Sequence, residues 1–324
     1  MIKVFATLLL NSILGCAFTA YAQDAQDYPT KPVKIIVSFT AGGTTDILVR
    51  ILQQPVSDLA RQQVVIENRP GGASVIGTNA VAQAAPDGYT VLGTDLAILV
   101  NPSLMTKLPY DTLKDLRGVT MLARAPLLLL IHPSVPANSI GEFVTLLKQN
   151  PGKYNFGSGG YGTSTHIAGE MFTRATGVKA EHIPFQGVAP AMNALLGGQV
   201  QFYFGGTTTA LQYLQTGRLK ALAITGDTVS SLAPTVPTFI SRGIKGVEAD
   251  TYWGIYVPAK TPDQVVATLN KIFVTALQDP QVVKRAGELG LNLIGNSSKD
   301  HDAQIAEMIN NWGVVIQSAG IRVD

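Results

Sequence analysis

The chain has 324 residues, 24 Lys and Arg against 22 Asp and Glu for a formal charge of +2, 46% hydrophobic and 14% charged residues, and a single cysteine. This balance excludes a chain too polar to bury a core, and it excludes a polybasic nucleic-acid binder. The length suits about two domains at the usual ~150 residues each, which makes an interface between them available to a ligand.

Residues 1–22 read as an export signal. Lys3 supplies the positive start, residues 4–10 and 13–18 are mainly apolar on either side of Asn11-Ser12, and Ala20-Tyr21-Ala22 fits a small-x-small cleavage site. The polar pair interrupts the run of about 20 apolar residues that a membrane span needs. Cleavage removes Cys16, so the mature chain is expected to have no disulfide, thiol nucleophile or cysteine-ligated zinc. Ile13-Leu14-Gly15-Cys16 is open to a second reading as a lipid-attachment box. The longest later apolar run, residues 125–131, is far too short to span a bilayer, so the mature protein is expected to be soluble.

Residues 33–39 read as a buried strand, 40–46 as a glycine turn, and Ile47, Leu48, Ile51, Leu52 and Leu59 recur near helical spacing. A second short strand (64–66), a loop (68–72), a helical stretch (74–84) and a strand (90–93) follow. The same grammar gives strand 127–131, helix 139–149 with a Ser139/Glu142 capping box, strand 154–156 and helix 163–176. Strand 182–185 precedes helix 188–196, strand 200–204 precedes helix 207–215, and 219–225 is a further strand. An irregular stretch (232–246) leads to a long strand (249–257). A helix to about residue 278 is expected to start from Thr261-Pro262-Asp263-Gln264, with Thr261 as cap. Asp279-Pro280 opens another to Gly290, and Ser297 with Asp300 caps a last helix that stops at Gly320. Strands alternating with helices predict an α/β protein with largely parallel, doubly wound sheets.

Four strand-to-helix turns are rich in glycine and hydroxyl groups: Thr40-Ala41-Gly42-Gly43-Thr44-Thr45, Gly157-Ser158-Gly159-Gly160-Tyr161-Gly162-Thr163-Ser164-Thr165, Gln186-Gly187-Val188-Ala189 and Gly205-Gly206-Thr207-Thr208-Thr209. Taken singly, each is an ordinary turn with glycine chosen for backbone geometry. Together they present amide and hydroxyl donors at the positive ends of helices, an anion cradle. They hold almost no basic residue, which favours a carboxylate over a polyphosphate. Asp46 would repel an anion, and is read as a cap that stiffens its loop. Residues 157–162 also match G-x-G-x-x-G, but the preceding strand is short and an exported chain seldom meets nicotinamide cofactors. No cofactor is expected. His132, His166, His182 and His301 form no metal-binding spacing, so no metal is expected. A Ser158–His166 dyad is conceivable, although neither Ser158 nor Ser164 sits in G-x-S-x-G. Trp253 and Trp312 read as core anchors.

Tyr28-Pro29-Thr30-Lys31-Pro32-Val33, Ala41-Gly42-Gly43-x-x-Asp46, Glu67-Asn68-Arg69-Pro70-Gly71-Gly72, Ala85-Pro86-Asp87-Gly88-Tyr89-Thr90, Asn101-Pro102-Ser103-Leu104, His182-Ile183-Pro184-Phe185-Gln186-Gly187 and Leu195-Leu196-Gly197-Gly198-Gln199-Val200 resemble, in order, the Bug (TctC-type) periplasmic solute receptors of tripartite tricarboxylate transporters. The resemblance covers essentially the whole mature chain. It implies a two-lobed Venus-flytrap fold, type II-like, with each lobe a mostly parallel sheet flanked by helices. Lobe 1 would comprise residues 28–123 and 251–324, lobe 2 residues 124–250, with crossings near 120–125 and 249–253.

The function implied is capture of a small organic carboxylate and its delivery to membrane permease subunits, by a non-enzymatic periplasmic monomer with no nucleic-acid partner. The expected contacts are Phe39, Thr40, Gly42, Gly43, Thr44 and Asp46 from one loop and Ser158, Gly159, Thr163, Ser164 and His166 from another. Thr94, Asp95, Gln186, Gly187, Gly205 and Thr207 complete the set. The chain departs from many relatives at Thr40-Ala41, where a proline precedes the glycines, and at Phe185-Gln186, often Tyr-Lys. With Thr94-Asp95-Leu96, these departures suggest a ligand less demanding of positive charge, a mono- or dicarboxylate, aromatic ones included. Two other functions are carried as alternatives: a secreted hydrolase using Ser158 and His166, and a ligand sensor for a membrane kinase.

Overall fold

The computed structural model describes residues 28–226, 229–230, 232–247 and 249–319; the export signal, Cys16 and Gly320 lie outside them. Strands β1 (Val33–Val37), β2 (Val64–Asn68), β3 (Thr90–Asp95), β4 (Leu116–Ala125), β10 (Thr251–Pro258) and β11 (Asn292–Leu293) form one sheet in the order β11-β4-β10-β3-β1-β2. Strands β5 (Leu127–Ile131), β6 (Phe156–Ser158), β7 (His182–Pro184), β8 (Phe202–Gly206) and β9 (Lys220–Ile224) form the other, in the order β7-β6-β8-β5-β9.

The helices are α1 (Thr44–Ala60), α2 (Val75–Ala82), α3 (Ala97–Leu104), α4 (Thr112–Asp115), α5 (Ile140–Gln149) and α6 (Ser164–Thr176). They continue with α7 (Val188–Leu196), α8 (Thr207–Gln215), α9 (Asp263–Ala276), α10 (Pro280–Glu288) and α11 (Ser298–Ala319). None of the described helices is long and apolar enough to cross a membrane.

Both sheets are mixed rather than largely parallel. β1 pairs β2 and β3 in parallel, but β10 runs antiparallel to both β3 and β4, and β5 runs antiparallel to β8 and β9. The cause is topological: β4 leaves the first sheet with only Pro126 before β5, and β10 returns to lie against β4, so one travels outward and the other inward.

Burial follows the residue pattern. The five residues of β5 (Leu-Leu-Leu-Leu-Ile) are all buried, each gaining roughly 1.5–3 kcal/mol from leaving water. Helix α1 buries Leu48, Val49, Leu52 and Val56 at helical spacing against β1 and α9. Trp312 and Ile316 of α11 belong to a core cluster that continues through Leu99 to Phe172 and Phe204 of the second half, so the last helix contacts both halves. Ser139, Asp279 and Ser297 cap their helices with side-chain oxygens. At α9 the cap is Pro262, without a side-chain bond; the Thr261 hydroxyl is buried and does not cap it.

Candidate functional site

A cleft of about 320 Å³ opens where the chain passes between the sheets. Three helices begin on it behind glycine caps: α1 after Gly43, α7 after Gly187 and α8 after Gly206, and in none does a side chain cap the first turn. First-turn N–H groups have no acceptor within their own helix, so these turns keep donors and the positive end of the helix dipole directed at the cleft. Thr40, Thr44, Thr207 and Thr209 add hydroxyls, while Phe39, Val188, Trp253 and Leu291 form apolar wall. No lysine, arginine or histidine lines the cleft among the described residues, and Asp95 is its one acidic side chain.

Asp46 holds the first loop without facing the cleft. Its carboxylate accepts from the Gly42 N–H, Arg50 Nε and Asn68 Nδ2, each at 2.9 Å, and it is 2% exposed. Burial opposes its ionisation, but these bonds, from Arg50 first, hold its pKa below the usual carboxylate range. Asn68 also donates to the Phe39 carbonyl at 3.0 Å, tying the loop to β2.

The second loop spends its glycine amides on itself. Gly159 N–H donates to Thr165 Oγ1 at 2.9 Å, Gly160 N–H to Ser158 Oγ at 3.1 Å, and Gly162 N–H to His166 Nδ1 at 3.2 Å. Thr163 caps α6 by accepting from His166 N–H. The expected amide cradle here is therefore a rigid, internally bonded turn. It offers the cleft Ser164, at the first turn of α6, and the surface of Gly159 and Thr163.

Behind it, the rings of His166 and His182 stack with centroids 4.0 Å apart. Burial pushes the pKa of His166 down to about 3, with His182 adding to it, and that of His182 to about 4, so both are neutral at pH 7. Ser158 Oγ lies 2.6 Å from His182 Nε2, and Ser158 is fully buried. The Ser158–His166 dyad is thus not formed: the histidine at the serine is His182, and no substrate carbonyl reaches the hydroxyl. His166, Glu170 and His182 place ligand atoms within 4.8 Å of one another. With Nδ1 of His166 accepting from the Gly162 N–H, the neutral ring carries its proton on Nε2, the atom 3.7 Å from Glu170 Oε1.

Residues 48–321 match the family model described as the tripartite tricarboxylate transporter family receptor. The chain belongs to this TctC receptor family. BugT of Bordetella pertussis is 32% identical over 317 residues, covering 97% of each chain. The structure of the periplasmic binding protein BugD superposes with a TM-score of 0.83 at 32% identity, over 91% of this chain and all of that one. The R. palustris protein Rpa4515 with adipate gives 0.85 at 29%, over 91% and 100%. The fold is therefore the two-lobed binding-protein fold of TctC receptors.

In this TctC receptor the cleft brings together Phe39, Thr40, Gly43, Thr44, Asp95, Gly159, Thr163, Ser164, Gly187 and Thr207. Other expected contacts lie off its wall. Thr94 Oγ1 is bonded to Ser38 Oγ at 2.8 Å, Gly205 lies against the Tyr203 ring, and Gln186 is exposed. Asp46, Ser158 and His166 support the two loops from behind, and the exposed Gly42 donates its N–H to Asp46. Sequence reasoning missed Trp253, whose indole N–H donates to Thr45 Oγ1 at 3.1 Å, and Thr251, Leu289 and Leu291. Trp253 is itself buried in a strand in which all but Tyr252 are buried, and gives no local sign of facing a ligand; the leucines come from a turn after α10 that carries no motif.

Proposed function

We propose that this receptor captures a small organic carboxylate, mono- or dicarboxylate, between residues 28–123 with 251–324 and residues 124–250, and hands it unaltered to permease subunits of a tripartite tricarboxylate-type transporter. The observation that carries the reading is the convergence of three helices without side-chain caps, α1 from one sheet and α7 and α8 from the other, on a cleft without basic side chains. Neutral donors and helix ends hold a single carboxylate reversibly, where a polyphosphate recruits Lys or Mg²⁺ as well. Closure would be hinged at Pro126 and at the return into β10, because contacts shared by both halves form only when the ligand is between them. Export follows from residues 1–22, with cleavage after Ala22; mass spectrometry of the periplasmic protein should find Gln23 as its first residue.

A thermal-shift screen over organic acids, adipate included, tests the core of this reading. A ligand that binds only the folded state at 100 times its Kd stabilises it by about 2.7 kcal/mol. If no carboxylate raises the melting temperature, the proposal fails.

A further inference from the structure

The donors of the cleft call for an anion, yet among the described residues its one side chain that carries a charge when ionised near neutral pH is the acid Asp95. Asp95 ends β3, opposite Trp253 on the neighbouring β10. One carboxylate oxygen, Oδ1, accepts from the Ala97 N–H at 2.9 Å. No ion pair reaches Asp95 among the described residues, and the adjacent Thr94 hydroxyl is committed to Ser38. The titratable group nearest in effect is the buried phenol of Tyr256, itself disfavoured from ionising in part by Asp95. Burial raises the Asp95 pKa to about 7, against the single bond from Ala97. A carboxyl so placed lacks a partner that a ligand can supply.

A ligand with two carboxylates would set its second charge against Asp95 or require that carboxyl to take up a proton. A ligand nitrogen carrying a positive charge would instead ionise Asp95 and bond to it. We propose that Asp95 sets the ligand class of the cleft, selecting carboxylates that also carry a cationic nitrogen, primary ammonium above all, over dicarboxylates of the same length. This rests on the reading of the cleft as a carboxylate site and narrows it.

The test is calorimetric titration of the wild-type protein with three matched pairs: 4-aminobutyrate and succinate, 6-aminohexanoate and adipate, 4-(aminomethyl)benzoate and terephthalate. Hexanoate and benzoate serve as carboxylates without a second charge. We expect the amino acid of at least one pair to bind tenfold or more tighter than its dicarboxylate partner. At pH 7 its binding should release protons, read from titrations in buffers of different ionisation enthalpy, because Asp95 is driven to ionise. Asp95→Asn should abolish the preference. The proton release measured on the wild-type protein tests the proposal without reliance on the variant's folding. Tighter dicarboxylate binding with proton uptake, or an unchanged preference in Asp95→Asn, overturns the role of Asp95 and leaves the carboxylate site standing. Binding of none of the eight probes refutes the carboxylate site and this inference with it.

Discussion

Replacing Asp46 by Asn tests whether the first loop is held by one buried carboxylate. The side chain receives three donors: Gly42 N–H and Arg50 Nε on one oxygen, Asn68 Nδ2 on the other. An amide has one acceptor atom and must turn its NH₂ toward one of these sets. Asn68 cannot flip to relieve the conflict without cost, because its oxygen accepts from Arg50 at 3.1 Å and its nitrogen donates to Phe39. Losing one charge-assisted bond and leaving a buried donor facing another donor costs about 2–4 kcal/mol. At roughly 2–4 °C per kcal/mol, melting should fall by about 5–15 °C. Guanidinium unfolding with a parallel thermal melt measures it.

The pH dependence has a definite sign. The folded pKa of Asp46 is lowered, so its stabilisation is present above the unfolded value of about 3.9 and is lost as pH falls through the lower folded value. The gap between wild type and variant should therefore close only under strongly acidic conditions. A variant within about 1 kcal/mol of wild type at pH 7 would refute the argument.

Three further outcomes are expected. His301 is fully buried with neither ring nitrogen hydrogen-bonded among the described residues, and burial lowers its pKa to about 3. At pH 5 the unfolded state gains about 2 kcal/mol from protonating it, so His301→Leu should flatten the loss of stability between pH 6.5 and 4.5 seen in urea titrations. Gly187 has φ +118°, which side-chain-bearing residues rarely adopt; Gly187→Ala should cost about 1–3 kcal/mol and weaken ligand binding through α7, both read by melts with and without ligand. Ser158→Ala removes a buried partner of His182 and of the Gly160 N–H, and should lower stability by about 1–3 kcal/mol while leaving any esterase background in the preparation unchanged.

Much of this architecture was legible because glycine and hydroxyl residues mark turns by their own chemistry. Residues 188–196 and 207–215 begin and end in the structure where the apolar spacing and flanking glycines place them. What was not legible depends on side chains that fold back from elsewhere. The Gly159, Gly160 and Gly162 amides look available in sequence, but Thr165, Ser158 and His166 claim them. The partner of Ser158 is His182, from a strand that only sheet pairing brings alongside. Strand β4 carries Arg117, Thr120 and Arg124 amid its apolar residues, so neither alternation nor an unbroken run announces it. The antiparallel entry of β10 likewise follows from the chain having to return, which no local pattern records.

That return has a consequence for assembly. β10 is a central plank of the first sheet, bonded to β3 on one side and β4 on the other, yet more than a hundred residues separate it from either. From the N-terminus onward, β1 to β4 are all complete long before the strand that joins β4 to β3, β1 and β2. Until then the first sheet is split down its middle, with β3 and β4 each presenting an unsatisfied edge. The second sheet is contiguous in sequence from β5 to β9 and needs no strand from outside that stretch, so its pairings close shorter loops than those of β10.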